Sequence, residues 1–259
     1  MLIDSPRLKP GDRDHWEMLE RYDHLLAEGV AGKATDSYAI LDQWVSTHPG
    51  AVVSVSWGKD STVIADLAAH LDHPPRIVWV RSDPFEMPEC EDVRDAFLTK
   101  HPHVDYEERI ATLRVPRRRE PGYEAHITNP RAKGQDVLRE LIHEPHINGV
   151  RGTESKTRRD SIRWHGTSTT RTCRPILFWT AEEVFAYLAA KELPVHPAYA
   201  MSYAGHLDRR WIRVHPLCSH HEESSIHGRD MASWEDDYYH DAIHHALTQA
   251  AKQKKEKPL

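Results

Sequence analysis

Cysteine is scarce in this chain: Cys90, Cys173 and Cys218 are the three thiols among 259 residues. Far apart and odd in number, they exclude a disulfide framework. Three thiols also fall short of the four that an ordinary iron–sulfur cluster takes from one chain, so no such cluster is expected. Long apolar runs are lacking too. None approaches the roughly 18 to 20 residues of a membrane helix, and no membrane association is expected. The opening MLIDSPRLKPGDRDHWE is polar from its fourth residue and has no secretory signal pattern, which makes the cytoplasm the expected compartment. Positive charge is not in excess either. A formal net charge of −6 weighs against a general nucleic-acid binder, leaving only local basic patches to serve such a role.

What is present suits a soluble α/β protein with a sizeable core: 39% hydrophobic and 29% charged residues. Twenty histidines make its charge sensitive to mild acid. The first 49 residues read as a helical segment packing on the core or on another subunit. HWEMLERYDHLLAEG places Trp16, Leu19, Tyr22, Leu25 and Leu26 at helical spacing and is expected to end at Gly29; DSYAILDQWVSTHPG follows as a second helix. A nucleotide-binding domain is expected over 50–218, and a His-rich helical extension with a basic tail over 219–259. Within the domain, RIVWVRS, VDYEERI and HINGVRG read as strands, and CEDVRDAFLTKHP and KGQDVLRELIHE as helices. Thr180 to Glu183 form a capping box that opens the helix AEEVFAYLAAKEL. Residues 113–132, rich in Arg and Pro without a period, read as a loop. Alternating strands and helices imply a parallel twisted sheet with helices on both faces, ligands lying at the carboxyl ends of its strands.

The most informative stretch is AVVSVSWGKDSTVIADLAAHL, residues 51–71. Val52, Val53 and Val55 make a buried strand, and Val63, Ile64, Leu67, Ala68 and Leu71 share one helix face. Between them runs Ser56-Trp57-Gly58-Lys59-Asp60-Ser61-Thr62. Gly58 is expected to permit the sharp turn, the first N–H groups of the helix favour an anion, Lys59 adds charge, and Ser56, Ser61 and Thr62 add hydroxyl donors. A Walker A loop is excluded, because Val53 and Asp60 stand where that pattern needs Gly and Ser or Thr.

The string resembles the PP-loop, S-x-G-K-D-S, of the ATP pyrophosphatase superfamily, although that family commonly has a second Gly where Trp57 stands. Further matches follow in family order across residues 36–200. Arg81-Ser82-Asp83 with Pro88-Glu89 looks like the D-T-G-x-x-F-P-E-T segment of phosphoadenosine phosphosulfate (PAPS) reductases. Gly149-Val150-Arg151-Gly152-Thr153-Glu154-Ser155-Lys156-Thr157-Arg158-Arg159 resembles their G-V-R-x-x-E-S-x-x-R motif. Arg174 to Leu188 and Leu193 to Tyr199 resemble P-I-x-x-W-T-x-x-D-V-W-x-Y-L and L-P-x-H-P-x-Y, residues read here as a loop wall. The resemblance implies an adenine nucleotide alpha hydrolase-like, Rossmann-like fold. It also implies nucleotide contacts from Ser56 to Thr62, Arg81 to Asp83, Gly149, Arg151, Gly152, Arg158 and Arg159, with Lys59, Asp60, Arg151 and Arg158 in catalytic positions. Arg also suits bidentate phosphate binding in its own right.

The expected cofactors are ATP and magnesium, Asp60 orienting the loop or reaching the ion. The expected reaction cleaves ATP between its α and β phosphates and adenylylates an acceptor, releasing pyrophosphate. The C-terminal E-C-G-x-H of true PAPS reductases is absent. A reductase or sulfotransferase therefore needs a thiol from Cys218 or a partner, and Cys218 alternatively meets His220 and His221 at a metal. A third reading is a catalytically silent regulatory module that binds a nucleotide, or nucleic acid through Arg117 to Arg119 and Arg151 to Arg163. His240, His244 and His245 share a helix face as a pH-sensitive surface or interface. A homodimer through the N-terminal helices is a possible assembly.

Overall fold

The computed structural model describes residues 1–112, 141–154, 166–218, 225–226 and 229–256, with backbone alone for 112, 154, 225–226, 229–230 and 253–256. These fall into two compact units. One comprises Met1–Trp79, Glu89–Glu108 and Glu144–Arg213; the other comprises Val80–Pro88, Arg109–His143 and Val214–Leu259.

The first unit opens with α1, Pro10–Thr47, a single helix of 38 residues. Gly29 does not end it, contrary to the two-helix expectation. A helical glycine costs about 1 kcal/mol, whereas each large apolar side chain buried along a continuous face returns about 1.5–3 kcal/mol. Trp16, Val30, Leu41 and Trp44 form such a face on both sides of Gly29, with Asp23 and Ser37 between them. Polar contacts tie this face down. Arg209 grips the buried Asp23 with two guanidinium nitrogens, Ser37 Oγ donates to Pro175 O over 2.9 Å, and Trp179 Nε1 donates to Ser37 Oγ over 3.0 Å.

After α1 come β1 (Val52–Val55), α2 (Lys59–Ala69), β2 (Arg76–Asp83), α3 (Glu89–Lys100), β3 (Tyr106–Thr112), β4 (His146–Ile147), β5 (Thr172–Cys173) and α4 (Ala181–Ala190). The capping box is present: Glu183 N donates to Thr180 Oγ1 and Thr180 N to Glu183 Oε2, at 3.2 and 2.8 Å. Strand order is β3-β2-β1-β4-β5. β1 runs parallel to both β2 and β4, and β4 parallel to β5. The HINGVRG strand is shorter than expected. The paired residues stop at Ile147; Asn148 N still donates to Cys173 O over 3.0 Å, after which the chain leaves the sheet. The order reverses at β1, with β2 on one side and β4 on the other. That switch point opens a crevice at the strands' carboxyl ends, where loops after β1 and β4 face each other.

The second unit ends in β6 (Ser225–Ile226), β7 (Arg229–Asp230) and α5 (Met231–Glu256), with non-helical angles at Tyr239. His240, His244 and His245 lie exposed on α5. The Arg- and Pro-rich loop, residues 133–140 of the helix expected over 133–144, Arg117 to Arg119, His220 and His221 lie outside the described residues; of that helix's last four residues, 141 is helical and 142–144 are not.

Under the sheet of the first unit, the buried Asp66 carboxylate accepts from Tyr187 Oη over 2.6 Å and lies 3.0 Å from His101 Nε2. Burial alone would raise this carboxyl, yet the contacts from His101 and Tyr187 hold it below its ordinary value of 3.8. A depressed carboxylate stabilises the fold above its unfolded-state pKa, and that contribution is lost as the pH falls through the lower folded value. Urea midpoints measured below about pH 4 should therefore drop for the natural protein. Asp66→Asn should be less stable at neutral pH and lack this acid limb.

Candidate functional site

The crevice is built from the loop after β1 inward. Ser56 N donates to Ser61 Oγ over 3.2 Å, closing the loop on the first turn of α2. Trp57 is the left-handed residue, at φ 54°, while Gly58 is extended at φ −81° and ψ 165°. The freedom to turn thus resides at the tryptophan, not at Gly58 as expected from sequence. A bulky residue in this region is strained, and burial compensates. The indole is fully buried, with ring centroids 5.5 Å from Phe97, 6.0 Å from Tyr106 and 6.4 Å from Trp79. Its side chain belongs to the core; its backbone shapes the loop.

Gly58 serves as the helix N-cap without a side-chain oxygen. Its carbonyl accepts from Ser61 Oγ at 2.9 Å, Thr62 Oγ1 at 3.2 Å and Thr62 N at 3.0 Å. The two hydroxyls thus point back into the loop in this conformation. Lys59 N, the first amide of α2, donates to Tyr199 Oη over 3.0 Å. The Lys59 ammonium sits 5.0 Å from the centroid of the same ring.

From the other side of the crevice, the turn after β4 presses against α2. A Cβ on Gly149 would come within 2.8 Å of the Asp60 backbone carbon and oxygen, so the approach needs glycine. This closeness delivers Arg151 to Asp60. Arg151 Nε is 2.6 Å from Asp60 Oδ1, and Lys59 Nζ is 3.0 Å from Asp60 Oδ2. Arg151 also donates through Nη1 to Thr153 Oγ1 over 3.0 Å, and Gly152 N is anchored on Leu177 O at 2.8 Å.

Lys59 and Arg151 side chains are each 3% exposed, an expensive environment for two cations. Burial lowers the Lys59 ammonium below its ordinary range; Asp60 opposes that shift, and the positive charges of Arg151 and Arg213 add to it. Burial would raise the Asp60 carboxyl, but Lys59 and Arg151 outweigh it and hold the group depressed. The cluster is cationic, water-poor and placed at the N-terminus of a helix, a combination that suits an anion. Both Asp60 oxygens are engaged by cations, so the carboxylate fits an orienting role and does not fit a magnesium ligand. Among the described residues, no group of three or more His, Cys, Asp or Glu is placed to hold a metal.

The remaining sequence-derived candidates divide. Arg81, Ser82 and Asp83 end β2 within the second unit, where Ser82 N donates to Glu86 Oε2 over 2.9 Å. Arg158 and Arg159 lie outside the described residues. Cys90 is buried with its Sγ 3.9 Å from Ser56 O. In the second unit, burial and then Glu235 push the Cys218 thiol up to about 11; its N–H donates to Glu235 Oε2 at 2.9 Å, and His215 Nε2 is 2.6 Å from Glu235 Oε1. Such a thiol is held protonated and is a poor nucleophile. Sequence reading missed the contacts of Tyr199 and Thr153. Tyr199 was legible as a motif position, but nothing in the string tells that its hydroxyl reaches Lys59.

Removing the carboxylate by Asp60→Asn leaves two buried cations facing each other. The expected loss is about 3 kcal/mol of unfolding free energy, read from urea titration with an unchanged m-value. A loss below about 0.5 kcal/mol would show that solvent already screens the cluster.

A family profile described as the phosphoadenosine phosphosulfate reductase domain matches residues 50–205. Among curated proteins, the chain is similar to adenosine 5'-phosphosulfate reductase of Deinococcus radiodurans, 24% identical over 206 residues that cover 75% of this chain and 74% of that protein. The namesake from Staphylococcus epidermidis is 24% identical over 180 residues, covering 64% and 72%. Similar solved structures include the PAPS reductase of Candida auris in its phosphate complex (TM-score 0.44, 12% identity, 74% of this chain and 90% of that one). NMN synthetase of Francisella tularensis gives a TM-score of 0.43 with 14% identity, covering 64% and 71%.

Proposed function

Because the chain belongs to the phosphoadenosine phosphosulfate reductase domain family, we propose that its crevice binds ATP or a related adenylyl nucleotide and cleaves the bond between the α and β phosphates. An acceptor atom attacks the α phosphorus and forms the new bond. The bond from that phosphorus to the α–β bridging oxygen breaks, pyrophosphate leaves with the electron pair, and the acceptor's proton passes to solvent. The observation that carries this reading is the buried Lys59–Asp60–Arg151 cluster at the first turn of α2.

In this reading, the backbone around Trp57 and Gly58, with Ser56, Lys59, Ser61 and Thr62, holds the β and γ phosphates. Arg151, joined by Arg158 and Arg159, neutralises charge developing on pyrophosphate. Asp60 keeps Lys59 and Arg151 aimed, and Gly149 lets the two loops close together. Magnesium travels on the nucleotide's phosphates, as suits a hard cation that keeps most of its waters.

A second reading, reduction or sulfuryl transfer from an adenylyl sulfate, is favoured by the names of the curated relatives. It requires a thiolate. The protonated state of Cys218 counts against that residue and leaves a partner's thiol as the donor.

Purified protein given magnesium and α-labelled ATP is expected to form AMP or an adenylyl adduct. Lys59→Ala or Arg151→Ala should each slow this about 100-fold or more. Sulfite from PAPS or adenylyl sulfate with a thiol donor, without any α–β cleavage of ATP, would overturn the leading reading in favour of the second. The lowered Lys59 pKa adds a pH signature. Nucleotide affinity should fall as the pH rises through a value below the ordinary 10.5, and Lys59→Arg should extend the plateau to higher pH.

A further inference from the structure

The face of α1 turned away from the core carries an apolar seam. Met18, Tyr22 and Leu25 are 57%, 53% and 80% exposed, and Gly29 and Gly32 continue the same line, each with open space where a Cβ would stand. The steps from 18 to 22, 25, 29 and 32 alternate four and three residues, the spacing of a coiled-coil contact line. α1 precedes the residues matched by the family profile.

We propose that this seam pairs antiparallel with the same seam of a second copy, about a two-fold axis passing between Tyr22 and Leu25. The large residues occupy one half of the seam and the glycines the other. Reversing one helix sets Met18 against Gly29 of the partner subunit and Tyr22 against Leu25 of the partner subunit. Parallel pairing would instead stack large on large and leave the glycines facing across a gap, which close packing disfavours. The flanks agree with the antiparallel choice. Arg21 and Glu28, both exposed, occupy equivalent positions one heptad apart along one edge. Reversal brings Arg21 beside Glu28 of the partner subunit twice, through the axis, whereas parallel pairing sets this edge against the opposite one and leaves Arg21 beside Leu26 of the partner subunit. On the opposite edge stand the half-buried Leu19 and Leu26, which the same reversal brings together. One surface thus complements itself in size, charge and apolarity, as a two-fold interface requires.

Sedimentation equilibrium of the full chain tests this. The natural protein is expected at twice 29.9 kDa in the micromolar range. Leu25→Glu, which places two carboxylates beside the axis, is expected to be monomeric with unchanged far-ultraviolet circular dichroism. Arg21→Glu and Glu28→Arg should each weaken the dimer about tenfold, and the double reversal should restore it. A monomeric natural protein, the outcome for a seam that serves a different partner, overturns the proposal. So does a dimer indifferent to Leu25→Glu, or a double reversal no tighter than its single parents.

Discussion

The Asp60 carboxylate, clamped between Lys59 and Arg151, is the contact on which the rest of the site depends. It joins neighbours in sequence to a residue about ninety positions away and brings the loops after β1 and β4 into one crevice. Two cations so deeply buried would be costly without it, and with it they are paired and aimed. Its own acidity is set by them. The net result is a fixed positive field at the first turn of α2, supplemented by the positive end of the helix dipole.

Several features are arranged around that clamp. The sheet order puts β1 and β4 side by side at the switch point, so their loops meet. Gly149 allows the backbone contact that a single methyl group would forbid. Trp57 accepts a left-handed backbone because its ring fills the space between Trp79, Phe97 and Tyr106, so the loop's shape is fixed by the hydrophobic core beneath it. This is a different device from a glycine-rich turn. A glycine loop gains closeness through freedom, whereas this one gains it by anchoring a large side chain.

Much of this was legible in the sequence because it is local. The run of valines, the S-x-G-K-D-S string and the amphipathic stretch after it contain their own strand, turn and helix, and the capping box at Thr180 needs only four residues. The alternation of elements likewise implied the parallel sheet. What escaped depended on distant partners. Gly29 looked like a helix end because propensity is local, while the face running from Trp16 to Trp44 that overrides it is completed only by α4 and the segments around Pro175 and Arg209. The backbone role of Trp57 was assigned to Gly58 for the same reason: the pocket that holds the indole comes from β2, α3 and β3. Tyr199 belonged to a recognised motif, yet its hydroxyl contact with Lys59 N spans 140 residues and leaves no trace in spacing.

The most direct measurement of the central claim is a crystal structure of the protein with ATP and magnesium, or with pyrophosphate. The account requires phosphate density against the first turn of α2, within hydrogen-bond reach of Lys59 and of the Gly58 and Lys59 backbone, with Arg151 still held by Asp60. Nucleotide bound elsewhere, while Lys59, Asp60 and Arg151 stay closed on one another, would contradict it and make the cluster a structural clamp alone.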